Sequence, residues 1–134
     1  GEQDFLAAVR DLTDHQGVDV VFDSVGLDTF ERSLDCLAPK GAMVLYGQSS
    51  GPVPPMDTAV LNAKGSLSLW RPSLTHYVAD RHDVQQRAGD IFRWIESGDL
   101  AVTIGGSFSL AEAADAHRLL ASRASTGKLV LKPA

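Results

Sequence analysis

Two stretches of this chain place small, polar and glycine residues directly after apolar runs. Residues 18–22 (VDVVF) end on Asp23-Ser24-Val25-Gly26, and residues 42–45 (AMVL) end on Tyr46-Gly47-Gln48-Ser49-Ser50-Gly51. Hydroxyls and an amide offer directional hydrogen bonds, and glycine lets a backbone approach a ligand closely. If both runs are parallel strands, these residues meet at the carboxyl edge of one sheet, where open α/β sheets bind their ligands. The competing reading is ordinary strand-to-helix turn chemistry, with Asp23 or Asp28 capping a helix. Spacing alone leaves both readings open.

Other residues with chemical potential stand more alone. His117 lies near the apolar stripe Ala113, Ala116 and Leu120 with no carboxylate spaced to orient it, so a packed structural histidine is expected rather than a general base. Glu112 and Asp115 read as a helix's first-turn acid and its solvated neighbour. No base or motif activates the lone Cys36, which reads as a small helix residue. His15, His76, His82 and His117 form no H-E-x-x-H and there is no C-x-x-C, so no complete metal site is expected within the chain. No triad or carboxylate pair emerges, and the catalytic residues stay unknown. The twelve glycines never fall as G-x-G-x-x-G, the phosphate cradle of a dinucleotide site.

The elements that must position the two polar ends alternate along the chain. Residues 3–12 put Phe5, Leu6, Val9 and Leu12 on one helical face. A near-continuous apolar strand follows at 18–22, as in the interior of a parallel sheet. Asp28-Thr29 opens a helix expected to run to about Ala38, where Pro39 and Gly41 stop it, and a second strand spans 42–47. Strand, crossover helix, strand is a right-handed parallel unit. After the irregular loop 48–57 the pattern predicts a short helix at 57–63 and a strand at 66–70. A helix follows at 83–97 with Gly98 as its stop, then a strand at 101–104, a helix at 110–122 and a strand at 128–132. Ser109-Leu-Ala-Glu112 matches a capping box.

The chain has 134 residues, 44% hydrophobic and 22% charged, about one domain's worth of ordinary globular composition. Its formal charge is −5 and its basic residues are scattered, which argues against nucleic acid or an anionic membrane as partner. No apolar run approaches the roughly 20 residues that cross a bilayer and no signal peptide opens the chain. With a single cysteine, a cytoplasmic setting is the expectation.

Four segments carry a resemblance that covers nearly the whole chain in order and spacing. They are VVFDSVG, LDCLAPKGAMVLYGQSSGPVPP, GSLSLWRPSLTHY and LAEAADAHRLLASRASTGKLVLKP. Together they resemble the carboxyl-terminal portion of zinc-independent NADPH:quinone oxidoreductases of the medium-chain dehydrogenase/reductase superfamily, similar to zeta-crystallin. The resemblance implies an α/β fold: the second half of a Rossmann domain over residues 1–100, and a segment over 101–134 that returns toward a catalytic domain. It implies that Ser24, Val25 and Gly26 face the cofactor's ribose, while Tyr46, Gly47, Gln48 and Ser49 line the nicotinamide side. Family members often carry Phe-Gly-Asn at that second turn, so Gln48 departs from the pattern. Trp70-Arg71-Pro72 matches a Thr-Arg-Pro, and Arg123 matches an arginine that reaches the cofactor phosphates; by itself Arg123 reads as a solvated helix-end charge. The implied cofactor is NADPH and the implied substrate a quinone or related enone. The GQSSGPVPP-type loop points to the zinc-free branch, and the family's dimer pairing falls on strand 66–70, implying a homodimer. The glycine-rich loop and most of the catalytic domain would lie upstream, so the chain by itself is expected to be inactive.

Two other classes share parts of the pattern. An S-adenosylmethionine-dependent methyltransferase also uses a DVVF-like strand, a helix and a Leu-x-Pro-x-Gly turn, but has no need of ASRASTGKLVL or WRPSLTHY. An assembly module without cofactor binding would use the apolar edge of strand 66–70 alone.

Overall fold

The computed structural model describes residues 4–122 and 124–133. They form two compact units, one up to Tyr77 and one from Val78 onward.

The first unit is built on a three-stranded parallel sheet in the order β1-β2-β3, with β1 at Val18–Asp23, β2 at Leu37–Leu45 and β3 at Ser68–Trp70. Helix α1 (Phe5–Leu12) precedes it, capped by the Asp4 carboxylate, which accepts from the Leu6 and Ala7 N–H groups. Helix α2 (Phe30–Asp35) connects β1 to β2; its Arg32 pairs with Asp4 and lies over the Phe5 ring, 4.5 Å from the centroid, tying α1 to α2. Helix α3 (Ala59–Ala63) precedes β3, and a one-turn helix α4 (Leu74–Tyr77) that sequence periodicity is too short to reveal follows it.

One face of the sheet holds the core. Phe30, Leu34, Leu37, Met43, Leu45 and Leu67 are buried together, with Val18, Val21, Val53, Met56, Val60 and Leu61 packed against them. Each fully buried side chain of this size contributes about 1.5–3 kcal/mol, enough for a small unit to hold three strands in register. The registers Asp23↔Leu45 and Val44↔Trp70 bring the carboxyl ends of all three strands to one edge.

Helix α2 is shorter than the expected 28–38, and β2 begins at Leu37 rather than 42. Proline does not end the helix; the chain is already extended when it reaches Pro39. The Val18 N–H donates to the Cys36 carbonyl at 2.9 Å, and the β1/β2 register then shifts between Val18 and Val20. Such irregularities are where a strand admits proline, which has no N–H for the ladder.

In the second unit, α5 (Arg81–Ser97) begins two residues before the expected start, because the Asp80 carboxylate accepts from the Asp83 N–H, and it ends at Gly98 as expected. Strand β4 occupies Ile104–Ser109 rather than 101–104 and pairs in parallel with β5 (Lys128–Lys132). Its two consecutive glycines hide it from strand propensity, which favours the preceding apolar residues. A 3-10 turn over Leu110–Glu112 and helix α6 (Ala113–Ala121) connect the two strands. The Glu112 carboxylate accepts from the Ser109 N–H and hydroxyl, both at 2.8 Å, and these bonds hold its carboxyl below the ordinary value.

Candidate functional site

The carboxyl edge of the first sheet is organised around Asp23, the last residue of β1. It is 4% exposed, and its carboxylate accepts four hydrogen bonds. Oδ1 takes the Val25 N–H at 2.7 Å and the Gly26 N–H at 3.0 Å; Oδ2 takes the Thr29 and Ser33 hydroxyls, both at 2.8 Å. Burial pushes the carboxyl's pKa up, but the four donors, led by Gly26, outweigh it and hold the group below its ordinary value. Asp23 is thus an ionised structural anchor that bends the turn and fastens it to α2. Neither Asp23 nor Asp28 caps α2 through a conventional side-chain bond to its first turn; Asp28 is exposed, and its N–H donates to the Ser50 hydroxyl at 3.1 Å.

The turn after β1 is zipped to the turn after β2. The Tyr46 N–H donates to the Asp23 carbonyl (2.9 Å), Ser49 to Ser24 (3.2 Å), Ser50 to Val25 (2.9 Å) and Leu27 to Gly51 (3.1 Å). The Ser50 hydroxyl donates to the Val25 carbonyl at 2.8 Å, a brace not anticipated from sequence because serines are common in turns. A Cβ on Gly47 would sit 2.4 Å from the Ser24 oxygen, and one on Gly26 would sit 2.7 Å from the Gly51 oxygen. Gly26 also has φ +88°, in the left-handed region that side chains resist. The space at both glycines is therefore taken by neighbouring backbone.

With the backbone so engaged, what the edge shows to solvent is side chains. Ser24, Tyr46, Gln48 and Ser49 are exposed, and Val25 is half-buried beneath them. Trp70, at the end of β3, is exposed, and Arg71 donates to the Leu45 carbonyl at 3.0 Å. The structure thus brings nine of the ten candidate positions to one edge of one unit; the tenth, Arg123, lies outside the described residues. Tyr46, Trp70, Pro72, Leu74 and Tyr77 line a cavity of about 450 Å³ beside this edge.

The remaining candidates have structural or solvated places. His117 is exposed rather than packed, although it borders the hollow formed by Ala113, Ala116, Leu120, Leu129 and Leu131. A histidine at that helical position has room to turn its ring to solvent, which periodicity alone does not reveal. Cys36 is buried at the end of α2; burial, with Asp35 beside it, pushes its thiol pKa up. Among the described residues no group of three or more His, Cys, Asp or Glu lies close enough to hold a metal ion, and no helix is long and apolar enough to cross a membrane.

A parallel sheet whose strand ends meet in a braced, glycine-bearing polar edge defines the Rossmann-like class of α/β proteins. The chain belongs to the family described as zinc-binding dehydrogenase, whose profile matches residues 2–131. The curated relatives it matches include quinone oxidoreductases and a 2-haloacrylate reductase. It is 47% identical over 125 residues to a quinone oxidoreductase of Pseudomonas aeruginosa, covering 93% of this chain and 38% of that protein. It is 40% identical over 132 residues to a 2-haloacrylate reductase of a Burkholderia species, covering 98% and 40%. The solved structure of Escherichia coli quinone oxidoreductase complexed with NADPH superposes with a TM-score of 0.85 at 40% identity, covering 98% of this chain and 41% of that one. The chain therefore spans about two fifths of the length of the curated relatives it matches.

Proposed function

We propose that this chain supplies the nicotinamide-side wall of an NADPH-dependent reductase of quinones or related enones, and that it is inactive without the remainder of such an enzyme. The observation that carries this is the strand register, which brings exposed Ser24, Tyr46, Gln48, Ser49 and Trp70 to one edge of the sheet. Those donors and acceptors fit a ribose and a carboxamide. The G-x-G-x-x-G cradle for the pyrophosphate is absent from the sequence. The chain thus fits one end of the dinucleotide, which agrees with its covering 38–41% of its relatives.

When bound, NADPH supplies the hydride that, with one proton from solvent, converts a quinone to a hydroquinone. The chain's own part is positional. Ser24 holds a ribose hydroxyl, Gln48 and Ser49 offer their amide and hydroxyl to the carboxamide, and Tyr46 and Trp70 exclude water from one side of the ring. Val25, Gly26 and Gly47 keep the two turns locked so that these side chains do not drift, because misplacement by about 1 Å costs on the order of 100-fold in rate. Arg71 braces the β2 and β3 ends through the Leu45 carbonyl.

In the complete enzyme, residues 1–100 are the second half of the nucleotide-binding domain and residues 101–134 the segment that returns toward the catalytic domain. The GQSSGPVPP loop points to the zinc-free branch, and the lone buried Cys36 suits a reducing cytoplasm. β3 lies at an end of the three-strand order with Leu69 and Trp70 exposed, which suits pairing with a second copy over residues 66–70.

The test is a chimera in which these 134 residues replace the corresponding segment of the Pseudomonas aeruginosa protein. NADPH oxidation dependent on an added quinone, with a dimeric mass by size exclusion, is the expected result. A folded chimera that neither binds NADPH nor reduces quinones, or an isolated chain that binds S-adenosylmethionine, would overturn the proposal.

A further inference from the structure

We propose that the groove between α2 and the loop leading into α3 binds a small apolar cation, an aromatic or alkyl body carrying one ammonium group. The groove shares no residue with the candidate cofactor positions at the strand ends, so its occupant is distinct from the cofactor.

The space is there and is lined for an apolar body. The groove holds a cavity of about 460 Å³, in the range of small-molecule pockets, about 300–1,000 Å³. A second hollow of about 300 Å³ shares Phe30, Glu31, Met56 and Val60 with it and extends it to Leu34 and Asp35. The floor is apolar: Phe30 is buried, and Val53, Met56 and Val60 are half-buried. One wall is Val53-Pro54-Pro55, where two prolines fix φ and each restricts the residue before it. Such a wall is formed before a ligand arrives, which lowers the entropy cost of binding.

The charges around that floor choose the occupant. Asp28, Glu31 and Asp57 line the groove and are exposed. Two cations also line the groove and its extension, and each is taken by another carboxylate. Arg32 pairs with Asp4 and lies over the Phe5 ring, while Lys64 pairs with Asp35. Three carboxylates are thus left around an apolar floor with no lining cation to balance them. An anion is repelled there, a neutral molecule gains the floor alone, and an apolar cation gains both.

The experiment uses the full 134-residue chain, isotope-labelled at its two methionine methyls. Met56 lies in the groove, and Met43, fully buried in the core, is the internal control. Titration uses 4-phenylbutylammonium, the neutral 4-phenylbutanol, the anionic 4-phenylbutanoate, and ethylammonium, which has the charge without the ring. The first is expected to shift Met56 saturably and leave Met43 unmoved. At low salt it should bind about tenfold more tightly than the alcohol, the sum of two or three exposed charge pairs. That ratio should fall toward one as salt rises from about 0.01 M to about 1 M and the screening length shrinks from about 30 Å to about 3 Å. The butanoate should bind more weakly than the alcohol. Ethylammonium should bind at least about tenfold more weakly than the phenyl compound, because it covers little of the floor.

Glu31→Gln is expected to cut the ammonium-to-alcohol ratio about threefold. Asp57→Asn should do the same while keeping an acceptor for the Ala59 N–H, which Asp57 receives at 2.9 Å. Should either variant fail to fold, Asp28→Asn carries the comparison. Equal affinity for ammonium and alcohol, a ratio unchanged by Glu31→Gln, or ethylammonium binding as tightly as the phenyl compound would each overturn the proposal. So would a Met56 shift on dilution alone, which would put a second copy of the chain in the groove. No NADPH or quinone enters the titration, so its outcome stands apart from the reductase reading.

Discussion

Removing the carboxylate of Asp23 should unfasten the polar edge. In Asp23→Ala, the Val25 and Gly26 N–H groups lose their acceptor in a turn that gives them no other, at about 1–3 kcal/mol each. The hydroxyls suffer less: Thr29 has the Gly26 carbonyl at 3.3 Å as a second acceptor, and Ser33 can rotate. The total expected loss is about 3–5 kcal/mol, a large fraction of the stability of an ordinary domain. Asp23→Asn keeps an oxygen for the two N–H groups and loses only the charge and one acceptor, so about 1–2 kcal/mol is expected. Urea unfolding read by Trp70 fluorescence in a Trp94→Phe background reports on the unit that carries Asp23. The pH dependence has a defined sign. The folded carboxyl lies below its unfolded value of about 3.9. Its contribution is therefore complete above that value and is lost as pH falls through the lower, folded value. The gap between wild type and Asp23→Asn should be flat near neutrality and close in acid. An alanine variant costing under about 1 kcal/mol, or a gap that widens in acid, would refute the anchoring role.

Other consequences are simpler to read. Gly47→Ala would force its Cβ to within 2.4 Å of the Ser24 oxygen, so a loss of about 1–3 kcal/mol is expected from the urea midpoint, whereas Gly89→Ala, inside α5 with only ordinary contacts, should stabilise its helix by about 0.5–1 kcal/mol. Cys36, buried with its thiol pKa raised, should react with a disulfide reagent only as fast as the native structure opens, and at the free-thiol rate once urea unfolds it. Fast labelling of the native chain would contradict that burial.

The alternation of apolar runs with turn residues was sufficient to place β1, β5, α5 and the capping box at Ser109–Glu112, because those elements are governed by local pattern and local hydrogen bonds. Local pattern also marked the polar residues after β1 and β2. It failed where distant backbone intervenes. β2 starts five residues early because the Val18 N–H reaches the Cys36 carbonyl, and β4 sits on a glycine pair because β5 supplies its partner. The serine at position 50 looked like any turn residue, and the aromatic cavity spans Tyr46, Trp70 and Tyr77, residues up to 31 apart whose meeting no periodicity records.

Asp23 shows the division most clearly. Residue type and position identified a carboxylate at a strand end that suited turn chemistry better than catalysis. That it is ionised, buried and bound by four donors depended on the turn curling back so that Gly26, Thr29 and Ser33 reach one side chain. Composition and periodicity determine which residues face inward and where a chain bends. Which polar groups satisfy one another, and which are left facing solvent to meet a ligand, is decided only when the strands come into register.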